Sequence, residues 1–308
     1  MCGISERKPM QTTKLNAKIK DVGGIPVARL LPQGTHRTIG AWCFLDHAGP
    51  AEFSTGSNGL QVGAHPHTNL QTFTSMLEGE VWHQDSLGFR QLIRPKQVNL
   101  MTAGTGNARG IAHTEQSPEG IKSLHAVQLW IALPMNQQIE PNFQHYPDLP
   151  EWQQNGVRHV LTTGSFGGHT APTAQYSPLL GIDMQFNQAQ SVEVPCHTDW
   201  EYGVLVLAGL VSVGGKTFGT DELAFIEPNG AASFTLQAEA GSHLMLLGGE
   251  PLPHPTLVWW NFVADSHEAL RTAVTDWNSM SPRFGKEIDL SGTQLKRLVA
   301  PEVPESRR

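Results

Sequence analysis

The chain has 308 residues, 39% hydrophobic and 16% charged, a soluble globular composition with room for a large core and two domains. A formal net charge of -7, with no run of Lys and Arg, argues against nucleic acid or an acidic membrane surface as a partner, because both reward basic patches. Its 31 Gly and 21 Pro favour many short strands over long helices.

The N-terminus, "MCGISERKPMQTTK", lacks the apolar core of a secretory signal, and no stretch reaches eighteen consecutive apolar residues. A cytoplasmic protein without a membrane span is expected, with residues 1–22 as a tail. Cys2, Cys43 and Cys196 lack CxxC spacing, so a disulfide framework or thiolate zinc site is not expected. They read as small buried hydrophobes or a tail residue. Short strands broken by Pro and Gly run from Ile25 to Phe53, and "LQTFTSMLEGEV" then alternates as a half-buried strand does.

A phrase recurs. "LEGEVWHQDSLG" from Leu77 and "LAGLVSVGGKTFG" from Leu207 share Leu-x-Gly-x-Val followed by a turn and a return strand, with Gly214-Gly215 as a two-residue hairpin turn. The duplication predicts an all-β protein of two tandem barrels or sandwiches. The first covers 23–135, a Pro-rich linker 136–152, and the second 153–262. One helix is expected in the last segment, 263–308, from "ADSHEALRTAVTDWN". Asp265 reads as its N-cap, Glu268 completes a capping box, and Ala269, Leu270, Ala273, Val274 and Trp277 form the face that packs on a barrel.

Of 14 histidines, the informative ones stand in pairs at chelating spacing. In "VGAHPHTNL", His65 and His67 are two apart, so on a strand they share a face. In "GIAHTEQ", His113 and Glu115 repeat that spacing after the Gly-rich "MTAGTGNARG". If the two segments are neighbouring strands, three imidazoles and a carboxylate converge and leave coordination positions open, as in a catalytic site. Imidazole and carboxylate without thiolate suit Fe(II), and also Mn, Ni, Cu or Zn. Glu115 can also act as a base toward an acidic substrate hydroxyl. Gln71, His83, Asp85 and Gln128 are candidates to hold the ligand imidazoles by hydrogen bonds. An ungapped overlay on the shared phrase sets His197 on His67, Pro195 on His65 and His243 on His113. Proline cannot ligate, so the second barrel keeps at most a partial set, His197, Glu201 and His243.

In "HPH", "LEGEVWHQDSLG", "MTAGTGNARGIAHTEQ", "VQLWIALP" and "LLGGEPL", in that order, the chain resembles the pirin family of the cupin superfamily, from about Gly23 to Gly285. The resemblance implies a bicupin, two double-stranded β-helix domains, with iron bound in the first by His65, His67, His113 and Glu115 and the second metal-free. It implies either a dioxygenase of quercetin 2,3-dioxygenase type, acting on a small aromatic substrate and dioxygen, or a redox-dependent regulator that binds a transcription factor or metabolic enzyme. Three departures stand out. Thr68, Asn69, Leu70 and Gln71 replace the usual Arg-Gly-Phe-Glu after HPH. Asn107 to Arg109 form an insertion in the turn before His113. "HPTLVWWNFVADS" replaces the usual Gly-Pro-Phe-Val wording.

Overall fold

The computed structural model describes residues 11–106 and 109–304; Cys2 and the first two residues of the Asn107 to Arg109 insertion lie outside them. The first strands are β1 (Thr12–Asn16), β2 (Lys18–Val22), β3 (Ile25–Leu31), β4 (Trp42–Glu52), β5 (Gln61–His67), β6 (Leu70–Glu78) and β7 (Val81–Asp85). There follow β8 (Arg90–Ile93), β9 (Val98–Thr102), β10 (Ile111–Gln116), β11 (Ser123–Ala132), β12 (Asn142–Tyr146) and β13 (Glu151–Gln154). The second half holds β14 (Val157–Thr163), β15 (Ser165–Phe166), β16 (His169–Thr170), β17 (Leu179–Phe186), β18 (Gln190–Pro195), β19 (Glu201–Ala208) and β20 (Val211–Val213). It continues with β21 (Lys216–Phe218), β22 (Glu222–Ile226), β23 (Ser233–Ala238), β24 (His243–Gly249), β25 (Leu257–Trp259), β26 (Phe262–Ala264) and the helix α1 (His267–Asn278).

Each half builds a barrel from a seven-stranded and a four-stranded sheet. In the first, the orders are β12-β9-β6-β11-β4-β3-β2 and β5-β10-β7-β8. In the second they are β1-β22-β19-β24-β17-β14-β13 and β18-β23-β20-β21. The two lists correspond strand for strand, which bears out the all-β tandem architecture. The turn between β20 and β21 has Gly214 at φ 59° and Gly215 at φ 74°, the left-handed pair that a type I′ hairpin requires.

The compact units are discontinuous in sequence. One holds described residues 11–18, 30–41 and 149–252; the other holds 19–29, 42–148 and 253–304. Residues 12–16, read from sequence as tail, are an edge strand paired with β22. Residues 142–146, read as linker, pair with β9. In the second barrel the interior is hydrocarbon: Met184, Phe186, Val204, Val206, Leu236, Leu244 and Leu246 are all buried in one cluster. Among the described residues no helix is long and apolar enough to cross a membrane. Cys43 and Cys196 are free thiols; burial pushes Cys43 up to about 12, which keeps it unreactive.

Helix α1 forms where expected and buries Leu270, Ala273, Val274 and Trp277 against Ala64 of β5 and Ala112 of β10. Its N-cap is Ser266, not Asp265: the Ser266 hydroxyl accepts from the Ala269 N–H at 3.3 Å. Both residue types cap well, but the three-residue strand β26 runs to Ala264 and leaves Asp265 one residue short of the first turn. Ser266→Ala is expected to lower stability by about 1 kcal/mol and Asp265→Ala by only a few tenths, as read from urea denaturation midpoints.

Candidate metal centre

Strands β5 and β10 pair antiparallel with His113 opposite His65 and Ile111 opposite His67. Period-two geometry therefore turns His65, His67 and His113 to one face. Pro66 is tolerated between the ligands because β5 is the edge of its sheet, where a missing N–H costs no ladder bond. The edge is covered by the C-terminal segment: the Leu298 N–H donates to the Ala64 carbonyl at 2.8 Å. Gly63 admits that segment, since a Cβ there would stand 1.8 Å from the Lys296 carbonyl oxygen.

All three imidazoles are buried, and one ligand nitrogen from each lies within 4.8 Å of the others. Each ring is oriented through Nδ1. His65 Nδ1 donates to the Gly63 carbonyl at 2.8 Å and His67 Nδ1 to the Asn261 carbonyl at 3.1 Å. His83 Nε2 lies 2.9 Å from Asp85 Oδ2, and a carboxylate only accepts. His83 Nδ1 is then the acceptor for His113 Nδ1, 3.2 Å away. The other Asp85 oxygen accepts from the N–H groups of Leu87, Gly88 and Phe89. All three ligand rings therefore offer a bare Nε2.

His67 Nε2 and His113 Nε2 are 3.1 Å apart. Two nitrogens each about 2.1 Å from one ion, at roughly a right angle, stand about 3 Å apart, so the pair fits a single transition metal. Electrostatics agree. Burial holds His65 down to about 4. Burial and the neighbouring rings hold His67 and His113 well below the usual imidazole range. The three imidazoles are thus neutral at pH 7, the form that metal coordination requires.

Glu115 is half of the second predicted pair, yet its carboxylate is not in the three-imidazole group. The β5–β10 register breaks between His113 and Glu115, which faces Val62 instead of Gly63, and such a bulge re-aims a side chain. Glu115 still lines the same cavity, about 360 Å³ in volume, with His65, His67, His113, Gln128 and Trp130. Burial pushes its carboxyl up to about 7.

The cavity has an aromatic wall that sequence reasoning missed. The Arg29 guanidinium, in a two-bond pair with Asp46, lies 4.5 Å over the Phe44 ring. Phe44 stacks on Trp130 at 3.9 Å, and Trp130 meets His67 edge-on at 5.1 Å. Trp260, Asn261 and Leu298 join the lining from the C-terminal segment. The alternation of "VQLWIALP" could have flagged Trp130, but nothing local ties residues 260, 261 and 298 to the histidines.

A sequence profile described as Pirin matches residues 24–131, and one described as Pirin C-terminal cupin domain matches 181–285. The chain is 47% identical over 301 residues to a Pseudomonas aeruginosa protein that carries a provisional quercetin 2,3-dioxygenase name, covering 97% of this chain and 93% of that one. It is 35% identical over 273 residues to a pirin-like protein of Caulobacter vibrioides, covering 86% and 92%. The crystal structure of an Acinetobacter baumannii quercetin 2,3-dioxygenase superposes with a TM-score of 0.89 at 42% identity, covering 96% of this chain and 97% of that one.

The chain belongs to the pirin family.

Within this pirin the predicted supporting residues divide. His83 and Asp85 orient His113 as described, and His83 also stacks on Phe143 of β12 at 4.2 Å. Gln128 lines the cavity but accepts from the Thr74 hydroxyl. Gln71 touches no ligand ring. Its neighbour Thr72 lines the cavity, so Gln71 points the other way along β6 and donates to Thr102 Oγ1. Asn69, where pirins usually have Gly, sits at φ 57°, a conformation asparagine tolerates. Its amide bridges the Val263 carbonyl and the Gly106 N–H. Arg109 pairs with Glu140 and is not among the residues lining the cavity.

The predicted partial second set does not assemble. His243 pairs with Asp183, Glu201 accepts from the Gly40 N–H at 2.7 Å, and His197 stacks on Trp200 at 4.2 Å. The ungapped overlay fails because the turns differ in length: 86–89, 94–97 and 103–110 correspond to the shorter 214–215, 219–221 and 227–232. The strand matching β10 is β23, "SFTLQA", which carries neither imidazole nor carboxylate.

His83→Ala is expected to weaken metal affinity about 10- to 100-fold, measured by chelator competition, whereas His243→Ala leaves metal stoichiometry unchanged. A pH effect on the metal-free protein follows as well. The unfolded chain protonates imidazoles near pH 6.5 while the fold holds His65 neutral to about 4, so the unfolded state binds more protons in that window. Glu115, raised to about 7, opposes this with one group against three. The urea midpoint of apoprotein is expected to fall as pH drops from 6.5 toward 4.

Proposed function

We propose that this pirin is a metal-dependent dioxygenase of quercetin 2,3-dioxygenase type, acting on a flavonol- or catechol-like substrate. The carrying observation is the convergence of three buried, neutral imidazoles in a cavity walled by Phe44 and Trp130 that also contains Glu115. The names of relatives that align over nearly the whole chain support this reading. A divalent metal, Fe(II) foremost, would be held by His65, His67 and His113. When bound it supplies Lewis acidity and one-electron chemistry toward dioxygen.

The remaining roles fall to the chain's own groups. Glu115 serves as the base for the substrate's acidic hydroxyl: a carboxyl poised at about 7 is near the optimum for taking a proton at neutral pH. Should Glu115 also ligate, it must first lose its own proton. The apolar surfaces of Phe44, Trp130 and Val62 exclude water from the reacting ring. His83 and Asp85 keep His113 in the ligating tautomer.

The test is turnover. Protein loaded with Fe, Mn, Ni or Cu and mixed with quercetin is expected to consume dioxygen and bleach the flavonol absorbance with at least one metal. No turnover with any of them overturns the proposal. Glu115→Gln is expected to retain metal and lose about 100-fold or more in kcat. If Glu115 ligates, metal binding near pH 6 releases about one proton in the parent protein and none in that variant, because the imidazoles are already deprotonated; calorimetry in buffers of different ionisation enthalpy measures this.

A further inference from the structure

The hairpin that reaches the metal cavity carries an unexpected residue at its turn. β25 and β26 pair with Trp259 opposite Phe262, so the turn consists of Trp260 and Asn261. Trp260 has φ 51°, in the left-handed region that asparagine and glycine enter cheaply and a large aromatic does not. Two-residue hairpins whose first turn residue has positive φ normally place asparagine, aspartate or glycine there. The segment is also one of the three in which the chain departs from the usual family wording.

The turn provides two things at the site. The Asn261 carbonyl accepts from His67 Nδ1 at 3.1 Å, a backbone contact that glycine at 260 would permit equally well. The indole of Trp260 is the extra element. It is half-buried, packs edge-on against the fully buried Phe262 at 5.7 Å, and lines the cavity with all three ligand imidazoles and Glu115. The same cavity exposes Trp130 and Leu298, and Leu298 remains 38% exposed. A side chain kept in a strained backbone conformation beside a reactive centre points to a role at that centre. An indole face offers stacking to a flat ring.

We infer that Trp260 is a specificity-determining residue whose indole forms one face of the slot for the substrate's planar aromatic ring. The inference rests on the reading above that this cavity takes a flavonol- or catechol-like molecule. A volume of about 360 Å³ is within the range of small-molecule sites. Phe44, Val62, Trp130 and Leu298 supply further apolar surfaces, and among the described residues the one Lys or Arg in the lining, Arg29, is held by Asp46.

The experiment uses the full-length, metal-loaded protein without oxygen, titrated with quercetin and followed by flavonol absorbance, in the parent, Trp260→Gly and Trp260→Phe. Metal content and melting temperature are measured on the same samples. Trp260→Gly is expected to keep its metal and to melt no lower than the parent, since glycine relieves the left-handed strain. Its Kd for quercetin should rise about tenfold, the size of one lost aromatic stacking contact, and Trp260→Phe should recover most of that loss. Unchanged affinity in Trp260→Gly, with the parent binding quercetin, overturns the role of Trp260 and leaves the proposed function standing. A lowered melting temperature or lost metal in Trp260→Gly also overturns it, since the indole would then be structural. Failure of the parent to bind quercetin removes the proposed function, and this inference with it.

Discussion

Three imidazoles with one ligand nitrogen each within 4.8 Å of the others in a buried pocket are held toward the neutral form, chiefly by burial. Protonating one would place a cation out of water, and protonating a second would add like-charge repulsion to that cost. Among the described residues no carboxylate hydrogen-bonds His65 or His67. Each Nδ1 has a backbone carbonyl instead, from Gly63 and Asn261. Only His113 is linked to a carboxylate, and then through His83. The arrangement satisfies each ring on one side and leaves the other side to a cation. Much of the first barrel serves that requirement: the edge position of β5, the bulge in β10, and the three N–H groups that fix Asp85.

Long-range connections complete the pocket. The carbonyl that orients His67 comes from 194 positions away, and β5 has its open edge covered by residues near 298. The two chain ends are exchanged: β1 joins a sheet of the second barrel, while residues 253–304 belong to the unit that holds the first barrel. Such pairings are slow to form because distant segments must meet before either gains. The site is therefore complete only after the last fifty or so residues have docked. Trp277 fastens that docking, donating from its indole to the Leu298 carbonyl at 2.8 Å beneath the Arg297 guanidinium, 3.3 Å above its ring.

The pairing of His65 with His67 was legible because both lie on one regular strand, where a spacing of two means a shared face; the same spacing misleads for His113 and Glu115, because a bulge in β10 falls between them. The duplication was legible because a hairpin phrase survives in both halves. What could not be read came from non-local geometry. Residues 260, 261 and 298 meet the histidines only through tertiary folding. Gln71, a candidate because of its closeness to HPH, hydrogen-bonds Thr102 instead, because its strand's parity relative to the cavity is set by the sheet. The overlay of His243 on His113 depended on equal turn lengths, and the second half shortens every turn between the shared phrase and β23. The tail and linker held strands because each seven-stranded sheet takes an outer strand from residues that local composition marks as connecting chain.

The contrast between the barrels explains why the imidazole cluster lies in the first. Thr72 and Thr74 on β6 have Tyr202 and Val204 as their counterparts on β19, and the second interior closes around Val204, Val206, Leu244 and Leu246. A filled hydrocarbon core stabilises in proportion to the area it buries. A polar cavity forgoes part of that gain and must satisfy every buried donor and acceptor individually. Retaining that cost in one barrel only, with the hydrogen bonds that offset it in place around His65, His67 and His113, is the behaviour expected of a pocket kept for a ligand.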